Sequence, residues 1–215
     1  MSEFVAEPLI RDFQPQKVII IGTVKSCWSG FLSKFGDNDI KKIVTLYRIQ
    51  EKFGIDTKGE ELEKVGKEIN EIFKNGLTQG LFHDIEVQVI VTRYGINEQE
   101  LLENYQFING ISKCLKEDVK YEIAFDITHS FRSLPLYNLI ILNYFKQVSK
   151  YDVSIRHVYY GNVEVRHEIN NIGSIVDLGN LVQVLDLTNG TSEFRNTGNA
   201  KTLLSLIPEE EEELK

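Results

Sequence analysis

The chain has 215 residues, 42% of them hydrophobic, which is enough to bury a sizeable core in one domain. Its formal net charge is −8, and Glu209 to Glu213 supply five of those negatives, leaving −3 for the rest, so it lacks the excess of Lys and Arg that long nucleic acid requires, whereas a few local donors suffice for a small anion. Cys27 and Cys114 stand apart with no CxxC spacing, and no stretch approaches the ~18 apolar residues of a membrane span, so neither metal, disulfide framework nor membrane is expected and a reducing, cytoplasmic setting is.

Met1 to Gln16 reads as a short lead-in. Lys17 to Gly22 (KVIIIG) is a β-branched run ended by glycine, the pattern of a strand buried on both faces, and Gly22 to Gly30 is a polar loop at its C-terminal end. Apolar residues at helical spacing predict helices over Asp39 to Phe53 and Gly59 to Phe73, with Gly54 and Gly76 as terminators. Asp84 to Val91 alternates as a second strand, and Asn97 with the acidic residues after it opens a helix expected to run to about Leu115. Tyr121 to Phe125 is a third strand, followed by a polar turn and an apolar helix over Leu136 to Phe145.

Two further strands, Ser154 to Tyr160 and Val163 to Ile169, flank Gly161-Asn162, a two-residue hairpin turn. The last stretch, Asn180 to Ile207, is interrupted at Asn189-Gly190 and Thr197-Gly198-Asn199, which predicts short helices. The order of elements predicts an α/β fold: a Rossmann-like, mainly parallel sheet flanked by helices, with a C-terminal β-hairpin and short helices.

Polar groups concentrate at one strand-to-helix junction, Asp126-Ile127-Thr128-His129-Ser130-Phe131-Arg132-Ser133. Helix-start amides have no intrahelical partner and carry the positive end of the dipole, so an anion is stabilised there. Thr128, His129, Ser130 and Arg132 add donors, and in open α/β sheets ligands sit at this carboxyl edge.

The D-x-T-H-[small]-x-R arrangement at Asp126, Thr128, His129, Ser130 and Arg132 resembles the signature of the CRISPR-associated Rossmann-fold (CARF) family with its D-x-T-H-G motif. The first strand with Gly22-Thr23, the Tyr159-Tyr160-Gly161 stretch, and Ile175-Val176-Asp177-Leu178 followed by Phe194 and Gly198 resemble the family in the same order. The resemblance covers roughly residues 17 to 207; Ser130 departs from it where the family has glycine, adding a hydroxyl and narrowing the space. It implies a CARF ligand-binding domain over 1–178, a helical connector over 179–207 and an acidic tail or linker over 208–215.

The resemblance further implies a sensor of cyclic oligoadenylate, foremost cyclic tetra-adenylate, in type III CRISPR antiviral signalling. It would act as a homodimer that controls a C-terminal or separate effector, with no cofactor. Ligand contacts would come from Gly22, Thr23, Lys25, Ser26 and Trp28 in the first loop and from Thr128, His129, Ser130, Phe131 and Arg132 in the second turn. Family members usually continue into a HEPN ribonuclease with an Arg and a His a few residues apart on a helix; the adjacent pairs Arg156-His157 and Arg166-His167 do not match, so the effector is expected to be missing.

Several residues carry more than one reading. Trp28 is either a platform for adenine or an anchor in a core or dimer interface. The hydroxyls of Thr128 and Ser130 hold a ligand edge or cap a helix. Arg132 pairs with a phosphate or with Asp126. His129 is a ligand donor, an acid or base, or a histidine satisfying buried backbone. Asp126 would orient the turn, since a carboxylate repels an anionic ligand.

Two functions compete with the sensor. One is a metal-independent ring nuclease for the same ligand, in which Ser26, Lys25 or Arg132 stabilises attack by a ribose 2′-hydroxyl. The other is a Rossmann-like domain for a different nucleotide; the lack of GxGxxG and GxxxxGK[ST] counts against a dinucleotide cofactor or a P-loop.

Overall fold

The computed structural model describes residues 5–105, 110–128, 139–141, 143–146, 150–162 and 174–206. The chain is mixed α/β and mainly parallel, with helices flanking the strands. It divides into two compact units, the first bounded by Met1–Val119 and His129–Asp152 and the second by Lys120–Thr128 and Val153–Lys215.

In the first unit, β1 (Lys17–Thr23) and β2 (Glu86–Thr92) pair in parallel, from Lys17 opposite Glu86 to Thr23 opposite Thr92. Their C-terminal ends therefore coincide. Residues 17–22 of β1 are half-buried, so the expectation of burial on both faces is not met. Two helices precede the first long one: α1 (Ala6–Phe13), in the presumed lead-in, and α2 (Trp28–Phe35), where a loop was expected up to Gly30. Trp28, Phe31, Leu32 and Phe35 do follow helical spacing, and Trp28 and Leu32 are its buried residues.

The next helices match the periodicity closely. In α3 (Ile40–Lys52), the Asp39 side chain accepts from the N–H of Lys41, and Leu46 and Ile49 are buried. In α4 (Gly59–Gly76), Val65, Ile69 and Phe73 recur every four residues on the face that meets β2. Burying three such side chains contributes about 1.5–3 kcal/mol each. Residues 139–141 and 143–146 are helical, and Ile141 and Phe145 form a second cluster with Ile111, against which Ile21 and Ile90 pack.

The second unit holds β3 (Lys120–Asp126), β4 (Asp152–Asn162) and β5 (Ser174–Asp177) in that spatial order. Ser154 bonds to the carbonyl of Tyr121 and the N–H of Ile127 bonds to that of Tyr159, so β3 and β4 advance together. The expected C-terminal strand pair is present but built differently. Gly161 and Asn162 are not a turn: β4 runs through them, and they pair with Ile175 and Ser174 of the antiparallel β5. The proposed partner strand, Val163 to Ile169, lies outside the described residues.

The ending also differs. One helix, α6 (Gly179–Thr197), passes through Asn189-Gly190 without interruption. Gly190 is buried there because α7 (Lys201–Leu204) comes close: a Cβ would meet Leu203 Cδ2 at 3.0 Å. Gly198 does end the helix, at φ 74°, and Glu193 binds Asn199 and Thr202 across the bend.

The helix opened by Asn97 stops early. Its cap forms as expected, Asn97 accepting from the N–H of Glu100 at 2.9 Å, but α5 ends at Glu103. Asn104 is diverted: its side chain accepts from the N–H of Arg93 at 2.8 Å and donates to the Arg93 carbonyl at 3.1 Å. Beside it the Arg93 guanidinium binds Glu100, which is 3% exposed, and the Thr57 carbonyl at 2.8 Å. Glu100 also accepts from the N–H of Gly95 at 3.0 Å.

Burial pushes the Glu100 carboxyl up, but hydrogen bonds from Arg93, Ile96 and Gly95 and the Arg93 charge outweigh it and hold the carboxyl below its usual range. A carboxyl lowered by folding adds stability above its unfolded value of about 4.3, and that stability is lost as pH falls through the folded value. Removing one member of such a buried pair costs about 3–5 kcal/mol. Glu100→Ala is accordingly expected to lower the urea midpoint at pH 7, and its deficit against the parent protein should shrink as pH is taken below about 4.

Candidate functional site

The carboxyl edge of the β1–β2 pair ends in a turn closed by its own atoms. The carbonyl of Thr23 accepts from the N–H of Ser26 at 3.0 Å and from Trp28 Nε1 at 2.9 Å, while Ser26 Oγ accepts from the N–H of Thr23 at 2.9 Å. Thr92 Oγ1 donates to the Gly22 carbonyl at 3.4 Å, joining the two strand ends. Tyr94, just beyond β2, reaches Thr23; burial pushes its phenol up, the Thr23 hydrogen bond opposes this, and the Glu100 charge adds to the rise.

Within this turn the candidate ligand residues separate. Trp28 is 2% exposed and meets Phe73 edge-on at 5.5 Å between centroids. Its ring is packed in the core of the first unit, where an anchor would sit. Thr23 is buried at 2% exposure. Gly22 carries the Trp28 ring, since a Cβ would lie 2.8 Å from it and 2.6 Å from Ser26 Oγ.

The exposed Lys25 directs its ammonium to the carbonyl of Gln50 in the last turn of α3, where helix carbonyls lack amide partners. The N–H groups of Lys25 and Cys27 make no hydrogen bond among the described residues. These amides, with the remaining donors of Lys25, are what the turn can offer an anion.

The second turn lies at the end of β3. Asp126 Oδ1 accepts from the N–H of Thr128 at 2.9 Å and from the Thr128 hydroxyl, and that hydroxyl accepts from the N–H of Gly161 at 2.8 Å. Asp126 therefore orients the turn. A hydroxyl has one proton, and here it is directed to Asp126, so Thr128 cannot donate it to a phosphate while this contact holds. His129, Ser130, Phe131 and Arg132 lie outside the described residues.

In the same unit His157 Nδ1 lies 2.6 Å from Asp177 Oδ2, and its ring stacks on Tyr159 at 5.4 Å. Asp177 also accepts from Gly179 N–H at 2.8 Å and Val158 N–H at 3.3 Å. Burial raises the Asp177 carboxyl, but the His157, Gly179 and Val158 hydrogen bonds hold it below its usual value. The group ties β4, β5 and the start of α6 together, in keeping with Arg156 and His157 being read as sheet residues. Arg156 meets Glu122 at 3.0 Å across β3 and β4. Arg166 and His167 lie outside the described residues.

Sequence reasoning missed Gln50, whose amide reaches both sides of the first turn, donating to Ser26 O at 2.7 Å and accepting from Ser29 Oγ at 2.8 Å. A glutamine on a half-polar helix face carries no signal of its own. Among the described residues no group of three His, Cys, Asp or Glu is gathered as a metal would need, and no helix is long and apolar enough to cross a membrane.

Strands that end in turns closed by their own atoms belong to an α/β domain, and comparison with known families names it: the chain belongs to the family described as CRISPR system endoribonuclease Csx1, CARF domain, whose model matches residues 1–164. The resemblance inferred from the sequence is thus borne out at the level of the family. Among curated relatives, CRISPR-associated protein MJ1674 of Methanocaldococcus jannaschii is 29% identical over 222 residues, covering 99% of this chain and 33% of that protein. The chain spans about a third of that relative's length.

Because the Trp28 ring occupies the space beside residue 22, Gly22→Ala is expected to overpack the turn. The cost should be about 1–3 kcal/mol, measured as a fall of several degrees in Tm.

Proposed function

We propose that this chain is the ligand-sensing domain of a type III CRISPR signalling protein, binding cyclic oligoadenylate, with cyclic tetra-adenylate as the first ligand to test. The observation that carries this reading is the CARF family match over residues 1–164, which includes both turns at strand ends. The ligand is polyanionic, and backbone amides and the remaining N–H groups of Lys25 in the first turn suit phosphate oxygens. In this reading His129, Ser130, Phe131 and Arg132 supply further contacts from the second turn.

A cyclic ligand with internal symmetry is matched most simply by two copies around a two-fold axis. The functional unit proposed is therefore a homodimer in which ligand favours one arrangement and passes it to an effector, in the same or a separate chain. Control of an effector is also in keeping with the endoribonuclease named in the family description.

The test is a thermal-shift and calorimetry panel of cyclic tri-, tetra- and hexa-adenylate, NAD and ATP, with gel filtration before and after ligand. Ligand at a hundredfold over Kd adds about 2.7 kcal/mol, which for a chain of this size raises Tm by roughly 5–10 °C. Stabilisation by NAD or ATP alone, or a strict monomer with and without ligand, would overturn the reading. Loss of a charge-assisted phosphate contact costs about 1.5–3 kcal/mol, so Arg132→Ala should weaken binding by about tenfold to a hundredfold. An unchanged Kd with a lowered apo Tm would instead assign Arg132 to a structural pair with Asp126. Recovering the ligand intact after hours with excess protein and EDTA is expected of a sensor, and its linearisation would show a ring nuclease.

A further inference from the structure

We infer that Gln50 is the positioning residue of the turn after β1, fixing from α3 the direction in which that turn presents its free amides. Three contacts from one residue bracket the turn. Gln50 Nε2 donates to the Ser26 carbonyl at 2.7 Å, ahead of Trp28, and Gln50 Oε1 accepts from Ser29 Oγ at 2.8 Å, behind it. The backbone carbonyl of Gln50 accepts from Lys25 Nζ. That carbonyl is open to Lys25 because the amide four residues on, the N–H of Gly54, donates to Thr57 Oγ1 at 3.1 Å instead of closing another turn of α3.

The chemistry of the side chain is specific. An amide offers a donor and an acceptor in one plane, and here each meets its complement, a carbonyl on one side and a hydroxyl on the other. A glutamate would keep the acceptor toward Ser29 and turn a carboxylate oxygen against the Ser26 carbonyl. A leucine would fill similar space and hold neither side.

The Ser26 carbonyl also accepts from the N–H of Trp28 at 2.6 Å, so the Gln50 contact bears on the peptide that sets both Cys27 and the indole. Holding that planar peptide fixes the direction of the Cys27 N–H, which belongs to it. A turn ordered before binding has less freedom to lose when ligand arrives, so its loosening appears as weaker affinity.

The link to affinity rests on the reading that this turn contacts the cyclic oligoadenylate, whereas the link to turn geometry does not. The chain has a single tryptophan, Trp28, lying between the two residues that Gln50 holds, so its fluorescence reports the turn without any ligand. The experiment compares the full chain with its Gln50→Leu, Gln50→Glu and Ser29→Ala variants by acrylamide quenching of Trp28, apo Tm and calorimetric Kd for cyclic tetra-adenylate.

Gln50→Leu and Gln50→Glu should make Trp28 more quenchable and red-shift its emission, with Ser29→Ala showing a smaller change in the same direction. Affinity for cyclic tetra-adenylate should fall by about tenfold in Gln50→Leu, out of proportion to any fall in apo Tm. Unchanged quenching in the folded Gln50 variants would overturn the inference, as would parental affinity in a variant whose quenching has changed. If Gln50→Leu fails to fold, Ser29→Ala decides: parental quenching and Kd together overturn the role. If the parent protein binds no cyclic oligoadenylate, the functional reading above fails, and quenching alone still decides whether Gln50 sets the turn.

Discussion

The indole of Trp28 needs both an apolar home for its ring and an acceptor for its N–H, and it finds them at the end of β1. The acceptor is the carbonyl of Thr23 at 2.9 Å, which also takes the N–H of Ser26, so one oxygen both anchors the indole and closes the turn. The ring in turn demands glycine at position 22 and meets Phe73 on α4, tying the turn to the buried face of that helix. Strand end, turn, α2 and α4 are thereby joined through one side chain. The hydroxyl of Ser26 is accordingly turned to the N–H of Thr23, while the N–H groups of Lys25 and Cys27 make no hydrogen bond among the described residues.

Where one force decides, the sequence is a reliable guide. Val65, Ile69 and Phe73 recur at helical spacing and are buried on α4, and Asp39 and Asn97 sit where an oxygen can take a helix-start amide. The failures come where a residue answers to a partner distant in sequence. Gly190 looks like a break, yet it is a contact surface for Leu203; Gly161-Asn162 looks like a hairpin turn, yet its backbone pairs with Ile175 and Ser174. Asn104 has no helix-stopping reputation beyond its modest propensity, and it ends α5 because Arg93 offers it two hydrogen bonds. At the candidate site the sequence locates the turns but not the use of their atoms, since nothing in it tells whether Trp28 offers its ring to a ligand or to Phe73.

Both turns show the same economy. Ser26 receives the N–H of Thr23, and Thr128 bridges Asp126 and the N–H of Gly161, so in each case a hydroxyl beside a strand end holds the backbone that forms the turn. The hydroxyls of Ser26 and Thr128 are thus explained by the geometry of their turns before any ligand is considered. A backbone held in this way keeps its remaining amides pointing in a fixed direction, which is the property an anion site requires. Side chains that look like ligand donors can therefore serve binding by locking the main chain, leaving contact with phosphate to amides and cations.

On the proposed reading, that division of labour would let a chain with a formal charge of −8 take an anionic ligand. Exposed charges farther apart than the ~8 Å Debye length at physiological ionic strength are largely screened. A donor in direct contact acts differently: unit charges at 4 Å attract by about 1 kcal/mol in bulk water and about 4 kcal/mol at the effective dielectric of a protein surface. Local geometry therefore outweighs net charge, provided the donors are already aimed when the ligand arrives. Gln50, Ser26 and the buried indole hold the backbone that carries the amides of Lys25 and Cys27, so in the proposed site the shape of the turn that opposes the chain's overall charge is set by neutral groups.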